Sequence, residues 1–236
     1  MYYAAVLKPW CILITPREAW AQLRKHPSWL YAVSAQWIIA SPAMLISSRE
    51  VGQITRVAGF GLSTQSSTWI SLAGYLLSTA VVILVMNLLA ALACWLVAAI
   101  VGISCNFWQA LTWLAHSALP YVLGVALSWL LLTIAPLSPE SPAHALSLLL
   151  RPSSLGPAPY LQQAIPPLSL IWFLTSYIDV FGLWSLAVLT QGARFFLGAS
   201  VRQTTWIAGL LVLLFLAVLT SVWQASQWLL VRLAAQ

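Results

Sequence analysis

Five apolar stretches, each long enough to cross a bilayer, constrain this chain more than any other feature of its sequence. A helix needs about 20 apolar residues to cross the hydrocarbon, and such stretches occur near 28–48, 69–101, 108–135, 179–198 and 204–231. Only 6% of the residues are charged, and four acidic plus ten basic side chains cannot cover a soluble protein of this size. We predict an all-α, polytopic integral membrane protein, with five transmembrane helices in one membrane domain over residues 1–236.

A short amphipathic helix is predicted from about residue 16 to 26, ahead of the first span. Thr15 can cap this helix, Glu18 can complete a capping box, and Pro16 suits the first helical position. About eleven residues are too few to cross the membrane. We therefore expect an N-terminal interfacial helix within an arm formed by residues 1–27.

The basic residues predict the orientation of the spans. With five spans, six of the ten basic residues share the side of the N-terminus, namely Lys8, Arg17, Arg24, Lys25, Arg194 and Arg202. Because basic residues are enriched on the cytoplasmic side, we expect a cytoplasmic N-terminus and an external C-terminus. The segment 136–178, which is rich in proline, then forms an external loop, with a short surface helix at 143–150, followed by an interfacial segment.

The tryptophans fit this plan. Several of the 14, Trp20 among them, fall near predicted span ends, where amphipathic rings prefer to lie. Trp37, Trp95 and Trp184 lie deeper, so their indole N–H groups need hydrogen-bond partners.

Asp179 is a carboxylate in an otherwise apolar stretch, and a charge at mid-bilayer costs roughly 2.5–3.5 kcal/mol. This cost largely disappears if the fourth span begins at Asp179, because aspartate is a favoured N-cap and its charge complements the helix dipole. Arg194 then emerges at the cytoplasmic face and Gly198 ends the helix. We interpret Asp179 as a helix cap, with a functional intramembrane acid as the alternative.

His116 lies four residues before Pro120 in the third span. A helical proline loses the hydrogen bond to the carbonyl at i−4, which here belongs to His116, so a kink is expected. A histidine in such a position commonly makes a hydrogen bond between helices. The alternative is a ligand-binding or proton-carrying residue.

A strip of small residues is predicted on the second span, where Ala90, Cys94, Ala98 and Gly102 recur every four residues. Small side chains allow close helix packing. The partner helix could belong to this chain, to a second copy or to another subunit.

Motifs for other functions are missing from the sequence. The three cysteines form no ligand cluster, so we predict neither a disulfide nor a metal site. Hydrolase, metalloprotease, P-loop and dinucleotide motifs do not occur, so we expect neither catalysis nor a cofactor. The basic residues are scattered singly, which excludes a nucleic-acid surface and indicates contact with the lipid bilayer.

Three segments together resemble the Yip family (Ypt-interacting proteins), especially its short bacterial members. They are TPREAWAQLRKHP at 15–27, FWQALTWLAHSALPYVLG at 107–124 and IDVFGLWSLAVLTQGARFFLGAS at 178–200. His116 stands where the family more often has an aromatic residue. The resemblance implies five spans, a cytoplasmic N-terminus, no catalytic activity and, for the bacterial type, the inner membrane. Eukaryotic relatives act in membrane traffic with small GTPases, and some bacterial relatives are associated with ABC-type exporters.

Two functions follow from these features. The favoured hypothesis is a non-catalytic membrane subunit or adaptor that packs against other membrane-protein subunits, which the small-residue strip and the missing motifs support. The alternative is a component of a transporter or ABC-associated exporter with a polar site around His116 and Asp179. A lipid-modifying enzyme is a third, less supported hypothesis.

Overall fold

The computed structural model describes residues 8–46, 69–134, 169–171 and 179–234, and its secondary structure in these ranges is helical throughout. The predicted all-α class is confirmed. The predicted surface helix at 143–150 and nearly all of the segment 136–178 lie outside the described residues. The helices are α1 (Lys8–Ile14), α2 (Pro16–Lys25), α3 (Leu30–Ile46), α4 (Trp69–Ile100), α5 (Phe107–Ser117), α6 (Leu119–Ile134), α7 (Val180–Phe195) and α8 (Val201–Ala234).

Two of these helices are long and apolar enough to cross a membrane. The candidate spans are Leu76–Ile100 in α4, with 25 residues, and Val201–Trp228 in α8, with 28 residues. The pair α5 and α6 adds a third if it is counted as one bent span. Helices α3 and α7 have 17 and 16 residues, fewer than the about 20 that cross the hydrocarbon. The chain is thus a multi-pass membrane protein with two or three candidate spans among its described helices.

The predicted kink in the third apolar stretch is confirmed. Helix α5 ends at Ser117, α6 begins at Leu119, and the two are bent by 41°. Pro120 stands in the first turn of α6, where the missing N–H of a proline costs no helical hydrogen bond. The bend therefore occurs where the proline can begin a new helix.

Side-chain caps define two helix starts. Asn106 accepts a hydrogen bond from the Gln109 backbone N–H at 2.8 Å, and the Gln109 side chain accepts one from the Asn106 backbone at 3.0 Å. Ser200 and Gln203 form the same reciprocal pair at the start of α8, at 3.3 and 3.0 Å. Each pair satisfies two backbone donors that a helix end leaves unbonded.

The chain divides into two compact units. The first comprises Met1–Ser41, Leu76–Leu123 and Phe181–Leu213, and the second comprises Pro42–Tyr75, Gly124–Val180 and Leu214–Gln236. The first unit contains one hydrophobic core, to which all eight helices contribute, α3 through Ala35 and α6 through Leu119. In the second unit, Ala43, Ala126 and Leu219 are buried, and the Ser128 hydroxyl donates to the Gly124 carbonyl at 2.8 Å.

Helix α2, Pro16–Lys25, lies where the amphipathic helix was predicted at about residues 16–26, and its apolar face packs within the chain itself. Its apolar residues Ala19, Trp20 and Leu23 are buried in the core of the first unit. The apolar face packs against protein, because other helices of the unit offer it an apolar surface. The arm also contains α1, which the sequence analysis did not predict.

Candidate functional site

The candidate site is the contact between α2, α5 and α7, where three aromatic rings meet. The Trp20 ring of α2 is fully buried and lies 5.6 Å from the Phe196 ring, centroid to centroid. It also meets the His116 ring of α5 edge-on, at 6.0 Å and 63°. Trp20, which the sequence analysis placed near a span end, therefore attaches α2 to the core of the first unit.

Gly192 provides the flat surface on α7 against which these rings pack. A Cβ added at Gly192 would lie 2.5 Å from Trp113 Cδ1 and 2.7 Å from Trp20 Cζ2. The Trp113 indole N–H donates to the Leu189 carbonyl, one turn earlier on α7, at 2.8 Å. Only a residue without a side chain allows both indoles to approach this helix so closely.

His116 is completely buried, and its two ring nitrogens have different surroundings. Nδ1 lies 2.9 Å from the Thr112 carbonyl oxygen, and since a carbonyl only accepts, Nδ1 carries the proton. Nε2 is therefore an acceptor, and it has no hydrogen-bond partner. The buried Trp20 Nε1–H, a donor, also lacks a partner. The neighbouring rings of His116 and Trp20 thus carry an unbonded acceptor, His116 Nε2, and an unbonded donor, Trp20 Nε1–H.

A pair of amide side chains joins three helices elsewhere in the first unit. The Asn87 amide nitrogen donates to Gln36 Oε1 at 2.7 Å, and the Gln36 amide nitrogen donates to Asn87 Oδ1 at 3.3 Å. Gln36 also donates to the Ala115 carbonyl at 2.7 Å, and Asn87 to the Ile83 carbonyl at 2.8 Å. Helices α3, α4 and α5 are thereby connected through buried polar groups that satisfy one another.

Asp179 immediately precedes Val180, the first residue of α7, and is buried. It therefore occupies the N-cap position, as the sequence analysis predicted. Asp179 belongs to the second unit and His116 to the first.

At the other end of α7, two arginines share one aromatic ring. The guanidinium carbon of Arg17, on α2, lies 5.2 Å from the centroid of the Phe195 ring, and that of Arg194 lies 5.7 Å from the same centroid. The chain then turns at Gly198, whose φ of +75° is in the left-handed region that favours glycine. The fourth helix was predicted to stop at this glycine, and α7 ends at Phe195, three residues before it.

Comparison with known proteins identifies the family. The Yip1 domain matches residues 10–222, which is most of the chain. The chain belongs to the Yip1 family. Neither the curated proteins nor the solved structures include a significant match to it. The resemblance noted from the three segments is therefore confirmed, and this Yip1 domain includes every helix from α2 to α7.

The predicted small-residue strip on α4 coincides only in part with the face of the helix that this chain buries. Cys94 and Ala98 are buried, but Ala90 is exposed, because a spacing of four drifts around a helix of 3.6 residues per turn. Gly102 lies beyond the end of α4 at φ +79°, in a Schellman motif closed by the Ile103 N–H donating to the Ala98 carbonyl at 2.9 Å. The buried residues of α4 with described side chains are Thr79, Asn87, Ala91, Cys94, Val97 and Ala98.

The predicted capping box at α2 does not form. The Thr15 side chain makes no cap hydrogen bond and instead donates to the Cys11 carbonyl at 3.3 Å. Helix α1 ends immediately before Thr15, and the Cys11 carbonyl accepts both the backbone N–H of Thr15, at 2.7 Å, and its hydroxyl. Glu18 is exposed in the first turn of α2.

Two deep tryptophans have the partners that the sequence analysis required. Trp37 Nε1 donates to the Leu76 carbonyl at 3.1 Å, and Trp95 Nε1 donates to the Cys105 carbonyl, also at 3.1 Å. Burial raises the pKa of the Cys105 thiol, which keeps it protonated and a poor metal ligand. No cluster of three potential metal ligands occurs within the described ranges of this Yip1 domain.

Sequence reasoning missed Gln36, Asn87 and Gly192. Gln36 and Asn87 are amides inside long apolar stretches, and isolated polar residues in spans indicate hydrogen bonds between helices. Gly192 follows Thr190 and Gln191, where a glycine in a helical pattern signals close packing. All three signals were present, but the sequence does not show which side chains meet.

Proposed function

We propose that this chain is a non-catalytic integral membrane subunit or adaptor that packs against partner transmembrane proteins in a larger assembly. The finer topology belongs to the same proposal: five spans, a cytoplasmic N-terminus and an external C-terminus, in the inner membrane of a bacterium. The single observation that carries it is the apolar surface of α8. Only 11% of the most apolar window of its span is buried by the rest of the chain, against 22% for α4.

Gly209 supports a protein partner for part of that surface. It lies inside α8 and is exposed, and nothing comes within 4 Å of a Cβ placed there. Thr205, one turn earlier, is also exposed. Glycine costs about 1 kcal/mol relative to alanine in a helix, whereas a small-xxx-small pair lets another helix approach closely. The proposal assigns this face to a helix of a partner subunit.

The internal polar contacts support the non-catalytic part of the proposal. Gln36 and Asn87 satisfy each other and two backbone carbonyls, so they are committed to joining helices. A catalytic site needs a nucleophile or base within reach of an orienting group. Among the described residues, His116 has only the Thr112 carbonyl as a hydrogen-bond partner.

Replacing Gly209 with isoleucine tests the adaptor function. Purification from native membranes in mild detergent is expected to yield the wild-type chain, of 25.8 kDa, in a heavier complex with defined membrane proteins. Gly209→Ile is expected to reduce the recovered partner several-fold, because the added side chain keeps the partner helix away. Native mass spectrometry measures both.

The matched control is Val218→Ile on the same helix. Val218 is also exposed and lies nine residues from Gly209, about 180° around the helix. This variant is expected to keep the partner. A wild-type chain that remains a lone monomer under all gentle conditions, or an equal loss in both variants, would contradict the proposal.

The second candidate function is a component of a transporter or exporter, and the unbonded nitrogens of His116 and Trp20 favour it. Under this candidate, vesicles containing the chain would carry protons down an imposed pH gradient, as reported by a trapped pH-sensitive dye. His116→Phe, which keeps the ring and removes the nitrogens, would abolish that flux. Absence of flux from wild-type vesicles, or equal flux from the variant, would remove the candidate.

A further inference from the structure

Arginines that are scattered in the sequence converge on one side of the first unit. Arg17 and Arg24 are seven residues apart on α2 and therefore share a face of that helix. Arg17 reaches the Phe195 ring, beside which Arg194 also lies. The Arg24 side chain extends to the turn after α7, where an amino nitrogen lies 3.7 Å from the Cβ position of Gly198. We call Arg17, Arg24 and Arg194 the arginine cluster.

The docking of α2 creates this cluster. Trp20 lies between Arg17 and Arg24 in the sequence and packs against α7 at Gly192. This contact holds both arginines of α2 beside the last turn of α7 and the residues that follow it. The cluster is a consequence of tertiary packing, and the three arginines are far apart in the sequence.

Within the described part of the chain, no carboxylate neutralises the charges of the cluster. All three arginines are exposed, and none forms an ion pair with a carboxylate of the described residues. The Phe195 ring offers the negative face of its π-system to the guanidinium groups but carries no net charge. Like charges held together without a counter-charge repel, so a bound anion would stabilise this arrangement.

The position of the cluster along the chain identifies the anion. Arg194 stands in the last turn of α7, and the candidate span Val201–Trp228 begins only seven residues later. Arg202, exposed and also without an ion pair among the described residues, is the second residue of that span. Basic side chains at the end of a span lie at the level of the lipid headgroups. The start of α8 is already capped by Ser200 and Gln203, which leaves the arginine side chains as the donors.

We propose that the arginine cluster is a binding site for the phosphate of an anionic phospholipid. The planar guanidinium group presents paired N–H donors that match the oxygens of a phosphate. Two or three arginines around one phosphate favour an anionic headgroup over a zwitterionic one. The choline of a zwitterionic headgroup adds a positive charge, which the arginines repel. The proposed lipid site does not include Thr205 or Gly209, the residues of α8 that the proposed function assigns to a partner helix.

Lipid titration of the full-length chain tests the site. The purified chain in a neutral detergent is titrated with phosphatidylglycerol or phosphatidylcholine, and native mass spectrometry counts the bound lipids. The wild type is expected to bind phosphatidylglycerol at least tenfold more tightly. The triple variant Arg17→Gln, Arg24→Gln, Arg194→Gln is expected to lose about 100-fold in affinity for phosphatidylglycerol, since each basic residue contributes roughly a factor of five at an anionic surface.

The control variant removes three positive charges elsewhere, with Arg49→Gln, Arg56→Gln and Arg151→Gln, and is expected to keep the wild-type preference. An equal loss in this control, or equal binding of both lipids by the wild type, would overturn the proposal. Displacement of phosphatidylglycerol by millimolar inorganic phosphate or by an acidic peptide would overturn the assignment to lipid. If the triple variant does not fold, the wild-type comparison and the two competitions still decide the question.

Discussion

Replacing Gly192 with alanine is expected to lower the free energy of unfolding by about 1–3 kcal/mol, the usual cost of overpacking a core. The new Cβ would lie 2.5 Å from Trp113 Cδ1 and 2.7 Å from both Trp113 Nε1 and Trp20 Cζ2, whereas carbon atoms prefer about 3.5–4.0 Å. Both indoles are fully buried, so neither can move aside without displacing the core.

Helix propensity alone favours the opposite result. Whether Gly192→Ala raises or lowers the free energy of unfolding therefore shows which effect is larger. In a helix interior, alanine is favoured over glycine by up to about 1 kcal/mol, so a glycine with open space around it should be improved by the same change. Gly74 of α4 is exposed, and nothing lies within 4 Å of its Cβ position. Gly74→Ala is therefore the matched control and is expected to be neutral or slightly stabilising.

Two measurements check this prediction. Unfolding by denaturant in detergent micelles, followed by tryptophan fluorescence, gives the difference in free energy. Tryptic cleavage after Arg24 or Lys25 reports the docking of α2, because Trp20 attaches that helix to α7, and the rate should rise in Gly192→Ala. If Gly192→Ala is as stable as Gly74→Ala and is cleaved no faster, the packing of the two indoles on α7 is not as described.

The sequence predicted the helices well where apolar length or a local signal decides the structure. The second stretch was predicted at 69–101 and α4 is Trp69–Ile100. The fourth was predicted to begin at Asp179 and α7 begins at Val180. The kink before Pro120 follows from one missing N–H, which is a local property of the chain. Each of these features depends on residues within one or two helical turns.

The candidate site was predicted only in part, because it depends on which helices meet. His116 was interpreted as a residue that makes a hydrogen bond between helices, but its hydrogen bond is to Thr112 of the same helix. Its neighbour Trp20 was assigned to the membrane interface. An amphipathic helix has the same pattern whether its apolar face meets lipid or protein, so the sequence of α2 alone does not separate the two. The strip that included Ala90 coincides only in part with the buried face of α4, since a spacing of four residues only approximates the helical period.

The largest effect on the polar interior is expected from breaking the Gln36–Asn87 pair. Gln36→Leu and Asn87→Leu are each expected to lower the free energy of unfolding by about 1–3 kcal/mol, because each leaves a buried amide without its partner. The double variant removes both amides and leaves neither unsatisfied. It is therefore expected to be more stable than the sum of the single effects by at least about 0.5 kcal/mol.

This double-mutant cycle needs a control on the same two helices. Trp37 of α3 donates to the Leu76 carbonyl of α4, and Leu76 lies eleven residues from Asn87, about 16 Å along the helix. Trp37→Phe combined with Asn87→Leu should be additive to within about 0.3–0.5 kcal/mol, since the two contacts share no partner. Equilibrium unfolding of the wild type and the five variants in the same detergent gives the five free-energy differences that the two cycles require.

The size of the coupling determines what the pair does. Hydrogen bonds between helices in a membrane average about 0.6 kcal/mol, so a coupling near that value means that the pair adds modest stability. A coupling well above it would indicate that Gln36 and Asn87 set the register of α3 on α4, because the reciprocal bonds form at only one relative position of the two helices. Strict additivity in the cycle would contradict the direct hydrogen bonds between the two side chains.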